Sequence, residues 1–221
     1  MIIVNSLLTL FILLAITACG GSENSDGGSA SPDNSEEHDL LLPGNYSSSS
    51  VSTAYYKLIM PTDGKVDFAA RGAQITIRRM NQNIVFSFDR ESNGGVRALE
   101  AGEYIIEFDF WNRRVRQVSV YSPALLNHND LPELTNKTYE SSTKKAEYFK
   151  LSLPADGPIN FSTTGTIVTI FDTNLNTIGA QRYDYEATAF SDYLPAGNYI
   201  VKLHFWGLRT KSTTVVSPVL E

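Results

Sequence analysis

The chain of 221 residues contains one cysteine and three histidines. A single thiol cannot close an internal disulfide. The histidines, His38, His128 and His204, stand far apart, and no two of them share metal-ligand spacing. A nucleophile with its base and paired carboxylates are equally missing, so the expectation is a protein that is not an enzyme and that carries no cofactor and no metal. Positive charge is scarce as well: 24 acids against 18 bases give a formal charge of −6, which leaves no basic face for nucleic acid. Long segments of helical period are also absent, which points away from bundles and α/β folds.

What the sequence does have begins at its N-terminus. Residues 2–18, "IIVNSLLTLFILLAITA", form an apolar run that is short for a membrane span and sits where a secretory leader belongs. The "ITAC" of Ile16 to Cys19 resembles the lipobox of bacterial lipoproteins, with Ile16 where Leu is usual and no Lys or Arg ahead of the run. The resemblance implies a signal peptide over residues 1–18, cleavage before Cys19, and lipidation of Cys19 with acyl chains such as palmitate. Each buried methylene contributes about 0.8 kcal/mol, so several chains on one residue anchor a folded body to the membrane. Gly20 rather than Asp after the cysteine implies, by analogy with Gram-negative lipoproteins, the outer membrane of the cell envelope.

Residues 19–42 then read as a tether, rich in Gly, Ser, Asp and Asn, that buries too little apolar surface to offset its chain entropy. Its acids are Glu23, Asp26, Asp33, Glu36, Glu37 and Asp39. These six equal the whole surplus (24 − 18 = 6), so the folded part is close to neutral.

From residue 45 the chain repeats itself. "YYKLIMPTDGKVDF" (55–68) matches "YFKLSLPADGPINF" (148–161) at an offset of 93, and "GAQITI" (72–77) matches "GTIVTI" (165–170). After two extra residues in a middle loop the offset is 95, and "LEAGEYIIEFDFW" (99–111) matches "LPAGNYIVKLHFW" (194–206). A period near 94 residues is too long for a solenoid unit and suits a small domain. The short β-branched and aromatic runs, separated by turns such as "PTDG" and "EAGE", predict an all-β fold of two tandem antiparallel β-sandwiches, jelly-roll-like. The expected limits are 43–123 for the first, 124–135 for a leucine-containing connector that packs, and 136–221 for the second.

Strand alternation in each repeat puts Tyr104, Ile106, Phe108 and Phe110, and likewise Tyr199, Val201, Leu203 and Phe205, in a core. The opposite set, Ile105, Glu107, Asp109 and Trp111 with Ile200, Lys202, His204 and Trp206, is then mostly solvated. Reading "FDFWNRR" and "LHFWGLR" as final hairpins with two-residue turns sets Trp111 opposite Arg114 and Trp206 opposite Arg209, close enough to stack. These four residues are the candidate ligand-binding positions, because Trp and Arg are enriched at binding hot spots. The alternatives are that each pair only closes its hairpin, or that one packs against the neighbouring domain. Asp63-Gly64 and Asp156-Gly157 follow Pro-x and read as turns, not metal loops.

Together, Leu99, Ala101, Gly102 and Tyr104, with Leu194, Ala196, Gly197 and Tyr199, resemble the "L-x-A/P-G-x-Y" turn of the bacterial pre-peptidase C-terminal (PPC) family over about 80 residues of each copy. The "D-x-D-L-Y-L" strand of many members is replaced by "AQITIRRM" and "TIVTIFDT", which lack the paired acids of a calcium site. The resemblance implies accessory β-sandwiches that bind a substrate or surface. The expected role is binding or scaffolding at the bacterial cell envelope, with a polysaccharide or an envelope protein as ligand. The alternative is a structural spacer or assembly subunit of a surface machine that makes protein contacts only.

Overall fold

The computed structural model describes residues 38–88, 94–112, 115–179, 187–206 and 211–220. The leader, Cys19 and the expected tether as far as residue 37 lie outside the described residues, as do Arg114 and Arg209. The tether expected to run to residue 42 ends earlier, because Asp39–Leu40 form a strand and Leu41 is 1% exposed in the first core.

The first repeat supplies β1 (Asp39–Leu40), β2 (Gly44–Ser47), β3 (Ser52–Met60), β4 (Gly64–Arg71), β5 (Gln74–Arg79), β6 (Ile84–Phe88), β7 (Gly94–Leu99), β8 (Gly102–Phe110) and β9 (Gln117–Tyr121). The second supplies β10 (Thr138–Glu140), β11 (Ala146–Leu153), β12 (Gly157–Thr164), β13 (Thr166–Phe171), β14 (Thr188–Leu194), β15 (Gly197–Phe205) and β16 (Ser212–Val216). Four sheets result: sheet I, β1-β3-β8-β5-β6; sheet II, β2-β9-β4-β7; sheet III, β11-β15-β13; and sheet IV, β10-β16-β12-β14. The fold is all-β, as the short alternating runs predict. Among the described residues two pairings depart from the antiparallel rule: β1 lies parallel to β3, and an isolated parallel bridge joins Glu133 to Lys150.

Each repeat fills its own core. Tyr104, Ile106, Phe108 and Phe110 of β8 meet Val66, Phe68, Val118 and Val120 of sheet II, all at most 2% exposed. Tyr199, Val201, Leu203 and Phe205 of β15 meet Ile159, Phe161 and Val215 of sheet IV, all buried. Each such side chain stabilises the fold by roughly 1.5–3 kcal/mol. The connector leucines serve these cores in turn: Leu125 packs on the first, Leu126 and Leu131 in the junction between the repeats, and Leu134 in the second.

The repeated turn motifs act as fasteners. Asp63 Oδ1 accepts the Ala101 N–H at 2.7 Å, and Asp156 Oδ1 accepts that of Ala196 at 2.7 Å. Tyr104 and Tyr199 donate their hydroxyls to the carbonyls of Glu100 and Pro195. Ser122 and Ser217 donate to those of Lys65 and Pro158. The aspartates therefore tie two turns together in each copy.

The expected final hairpin does not form. β8 pairs with β3 and β5 in sheet I, whereas β9 pairs with β2 and β4 in sheet II. β15 and β16 are divided between sheets III and IV in the same way. Phe110 and Val118 both face one core from opposite sheets, so the segment joining them has to cross the open edge of the sandwich. Gly72, between β4 and β5, makes the return crossing beside it in a left-handed conformation (φ +65°), and its carbonyl accepts the Asn112 N–H at 3.3 Å. Gly165 (φ +58°) accepts the Trp206 N–H at 2.8 Å. In each copy the chain at the end of the Trp-bearing strand thus hydrogen-bonds a left-handed glycine, a conformation glycine adopts without steric cost.

Sheets II and III face one another, so the four sheets stack in the order I, II, III, IV. Tyr121, Leu131, Phe171, Leu175 and Ile200 form the junction cluster. This arrangement overturns the expectation for β15. Ile200, Lys202, His204 and Trp206 are 0, 6, 5 and 8% exposed because the first repeat covers them. Period-two alternation identifies two faces but does not say which neighbour will cover the second one.

Candidate functional site

The junction concentrates the polar chemistry of the molecule. Asp67 alternates on β4 with the core residues Val66 and Phe68, so its side chain leaves the first core and enters the junction, where it is 0% exposed. Its Oδ2 accepts from Lys202 Nζ at 2.7 Å and from the Tyr148 hydroxyl at 3.1 Å. Tyr148 stacks on Tyr121 with ring centroids 4.7 Å apart. Burial, followed by the Asp67 charge, pushes the Tyr148 phenol well above its ordinary pKa. Both partners of the ion pair are out of water, so it holds the sheets in register and leaves a buried charge if either partner is lost.

Trp206 closes one end of this interface. The Arg71 guanidinium lies 3.7 Å from its ring centroid, and the His204 ring meets it edge-on at 5.1 Å. The pairing of Trp206 with a cation is thus present, but the cation is Arg71 of the other repeat and the indole is buried. The reading of Trp206 as a surface ligand position is corrected accordingly. Its expected partner Arg209, like Arg114, lies outside the described residues. Trp111 is half-buried at the end of β8, and its indole Nε1 has no partner among the described residues.

Burial first, then the Lys202 and Arg71 charges, hold the His204 imidazole down to about 3. The ring is neutral in the folded protein, while the unfolded chain protonates near the ordinary value of about 6.5. A depressed histidine therefore drains stability as pH falls below about 6.5, by about 1.4 kcal/mol per pH unit, until the folded state titrates. The His204→Gln variant is expected to gain about 2 kcal/mol on the wild type between pH 8 and pH 5 in urea unfolding. Parallel pH profiles for the two proteins would remove His204 as the cause.

The sequence reading missed Asp67, Arg71, Tyr148 and Lys202. For Asp67, Arg71 and Lys202 a signal was available, because the matched positions of the other copy read Asn160, Thr164 and Glu107; Tyr148 matches Tyr55 and carried none. Charge gained, lost or reversed on a non-core face marks where the two copies stopped being equivalent.

The end faces differ in character. Sheet I carries ion pairs, Lys57–Glu103 at 2.9 Å and Arg78–Glu107 at 3.2 Å, which flank a buried Ile105. On sheet IV, Thr138, Thr214, Ser162 and Ala189 align in one row, and Val216, Asn160 and Ser191 in the next. Neither row holds a charge, and Tyr193 nearby is 70% exposed.

No family model and no curated protein matches the chain. Among solved structures, a protein from Eubacterium rectale described as secreted aligns at 11% identity over 76% of this chain and 70% of its own, with a TM-score of 0.27. The CUB1-EGF-CUB2 region of human MASP-1/3 aligns at 9% identity over 82% and 98%, with a TM-score of 0.25. An anti-sigma factor domain-containing protein from Clostridium clariflavum aligns at 14% identity over 76% and 80%, with a TM-score of 0.25. Each likeness is distant.

Proposed function

We propose that the protein is a lipid-anchored, non-enzymatic binding protein of the bacterial cell envelope, held at the outer membrane through Cys19, whose two PPC-like sandwiches act as one fastened body toward another envelope protein. The observation that carries this reading is the face-to-face closure of sheets II and III around Asp67, Lys202 and Tyr148. It uses one candidate tryptophan for internal assembly and leaves two unlike end faces for outside contacts. The acidic tether suits display of that body away from the bilayer surface. Affinity purification of the native protein from envelope membranes should recover a stable protein partner, and Cys19→Ser should move the chain to the soluble fraction. A soluble wild type, or a membrane preparation with no partner, overturns the proposal.

A second reading, polysaccharide binding, has one observation in its favour: the uncharged rows of sheet IV, which carry the hydroxyls of Thr138, Thr214, Ser162 and Ser191, beside Tyr193. Aromatic faces flanked by neutral hydrogen-bonding groups suit sugar rings. On this reading Tyr193→Ala loses glycan retention about tenfold or more while its melting temperature holds, as Trp111→Ala would if sheet I were the site. A blank glycan array leaves protein binding as the sole role.

A further inference from the structure

The internal repeat shows what belongs at an edge that the second sandwich leaves open. In the first repeat, β1 runs parallel along β3, pairing Asp39 with Tyr56 and Leu40 with Lys57, and the Leu41 N–H continues to the Lys57 carbonyl at 2.8 Å. The connector starts the same pairing on β11. Lys150 N–H donates to the Pro132 carbonyl at 2.9 Å, and Leu134 N–H donates to the Lys150 carbonyl at 2.8 Å. There it stops, because Pro132 stands at the position matched to Asp39 and has no N–H to give.

The next outward-facing residue of β11 is Tyr148. In an antiparallel ladder alternate residues direct both main-chain groups away from the partner strand, so Tyr148 shares the outward orientation of Lys150. Among the described residues no group pairs with the Tyr148 N–H or C=O. One step further, the Ala146 N–H is taken by Ser119 Oγ at 3.0 Å. A cavity of about 340 Å³ lies along this stretch, lined in part by Tyr121, Leu126, Leu131, Pro132, Tyr148 and Phe149. Tyr121 is 1% exposed, and its hydroxyl has no partner among the described residues.

We propose that this cleft binds an extended peptide segment of a partner protein, which pairs its backbone with the free N–H and C=O of Tyr148 and places an apolar side chain in the cavity. A donor and an acceptor at strand spacing are what a peptide backbone complements. The first repeat already holds such a segment on the matched edge. The aliphatic and aromatic lining accepts a Leu-like side chain, and the Tyr121 hydroxyl is placed to take up a further polar group. The proposal rests on the protein-binding reading above and names the chemistry of the partner.

The test uses the full chain in detergent micelles and the capped peptide acetyl-His-Asp-Leu-Leu-Leu-Pro-amide, which copies residues 38–43. Saturable binding is expected, with slowed amide exchange at Tyr148 and shifts centred on Tyr121 and Leu131. N-methylation of the peptide at Asp and at the second Leu, whose N–H groups face β3 in the first repeat, should weaken binding about tenfold or more. Equal affinity for both peptides, no saturable binding, or unchanged exchange at Tyr148 overturns the assignment. If the peptide leaves Tyr148 untouched while an envelope partner still co-purifies, the cleft assignment falls and the protein-binding reading stands. If the peptide binds as described and no partner is recovered, the cleft keeps its chemistry and that reading falls.

Discussion

Replacing Lys202 with Met is expected to lower the unfolding free energy by about 3–5 kcal/mol, because it strips a fully buried carboxylate of the charged partner it has among the described residues. Asp67 is 0% exposed, and among the described residues its carboxylate keeps the Tyr148 hydroxyl on Oδ2 while Oδ1 has no partner. The Lys57–Glu103 pair offers the contrast. Its side chains are 34% and 46% exposed, so Lys57→Met should cost no more than about 1 kcal/mol. Adding Asp67→Asn to Lys202→Met should recover part of the loss, since a neutral amide is cheaper to bury than a lone charge. Guanidinium unfolding of the three variants decides the matter. A Lys202→Met cost as small as that of Lys57→Met would mean that the junction is not fastened by this pair.

Gly72→Ala is expected to destabilise the fold by about 2–5 kcal/mol, combining roughly 1–2 for a left-handed alanine with about 1–3 for displaced neighbours. The φ of +65° is one half of the problem. The other half is space: a Cβ at Gly72 would collide with the Val115 carbonyl and stand 2.5 Å from the Asn112 Cβ. Asn tolerates the left-handed region but carries the same Cβ, so Gly72→Asn separates the two causes. A loss close to that of Ala identifies crowding at the crossover, whereas near-complete recovery with Asn would show that backbone conformation alone is at stake. Thermal or urea unfolding supplies the measurement.

How much of this could be read in the residues depended on what each pattern encodes. The alternation in "YIIEFDF" and "YIVKLHF" encodes burial within one sandwich, and both cores follow it. The Pro-x-Asp-Gly and Ala-Gly-x-Tyr turns encode local chain reversal, and both copies use them for that purpose. The Trp-turn-Arg string encodes only a change of direction. A hairpin and a crossover between sheets satisfy it equally, and the choice is made by Phe110 and Val118 facing one core across the sandwich. Asp67 and Lys202 are 135 positions apart, so neither predicts the other until the faces are brought together. Cys19 lies outside the described residues, so the proposed lipid anchor rests on the "ITAC" string alone.

The matched strands give the junction a polarity. Sheet III is the counterpart of sheet I, and sheet IV that of sheet II, so the second sheet of one copy is seated on the first sheet of the next. A contact of this heterologous kind has no internal stop, and in principle another molecule could join at either end and extend a fibre. The sequence removes the means of growth. Where the junction has Asp67 and Arg71, sheet IV offers Asn160 and Thr164, and where it has Lys202 and His204, sheet I offers Glu107 and Asp109. The ion pair that closes the middle cannot be remade at the tips, which disfavours further stacking.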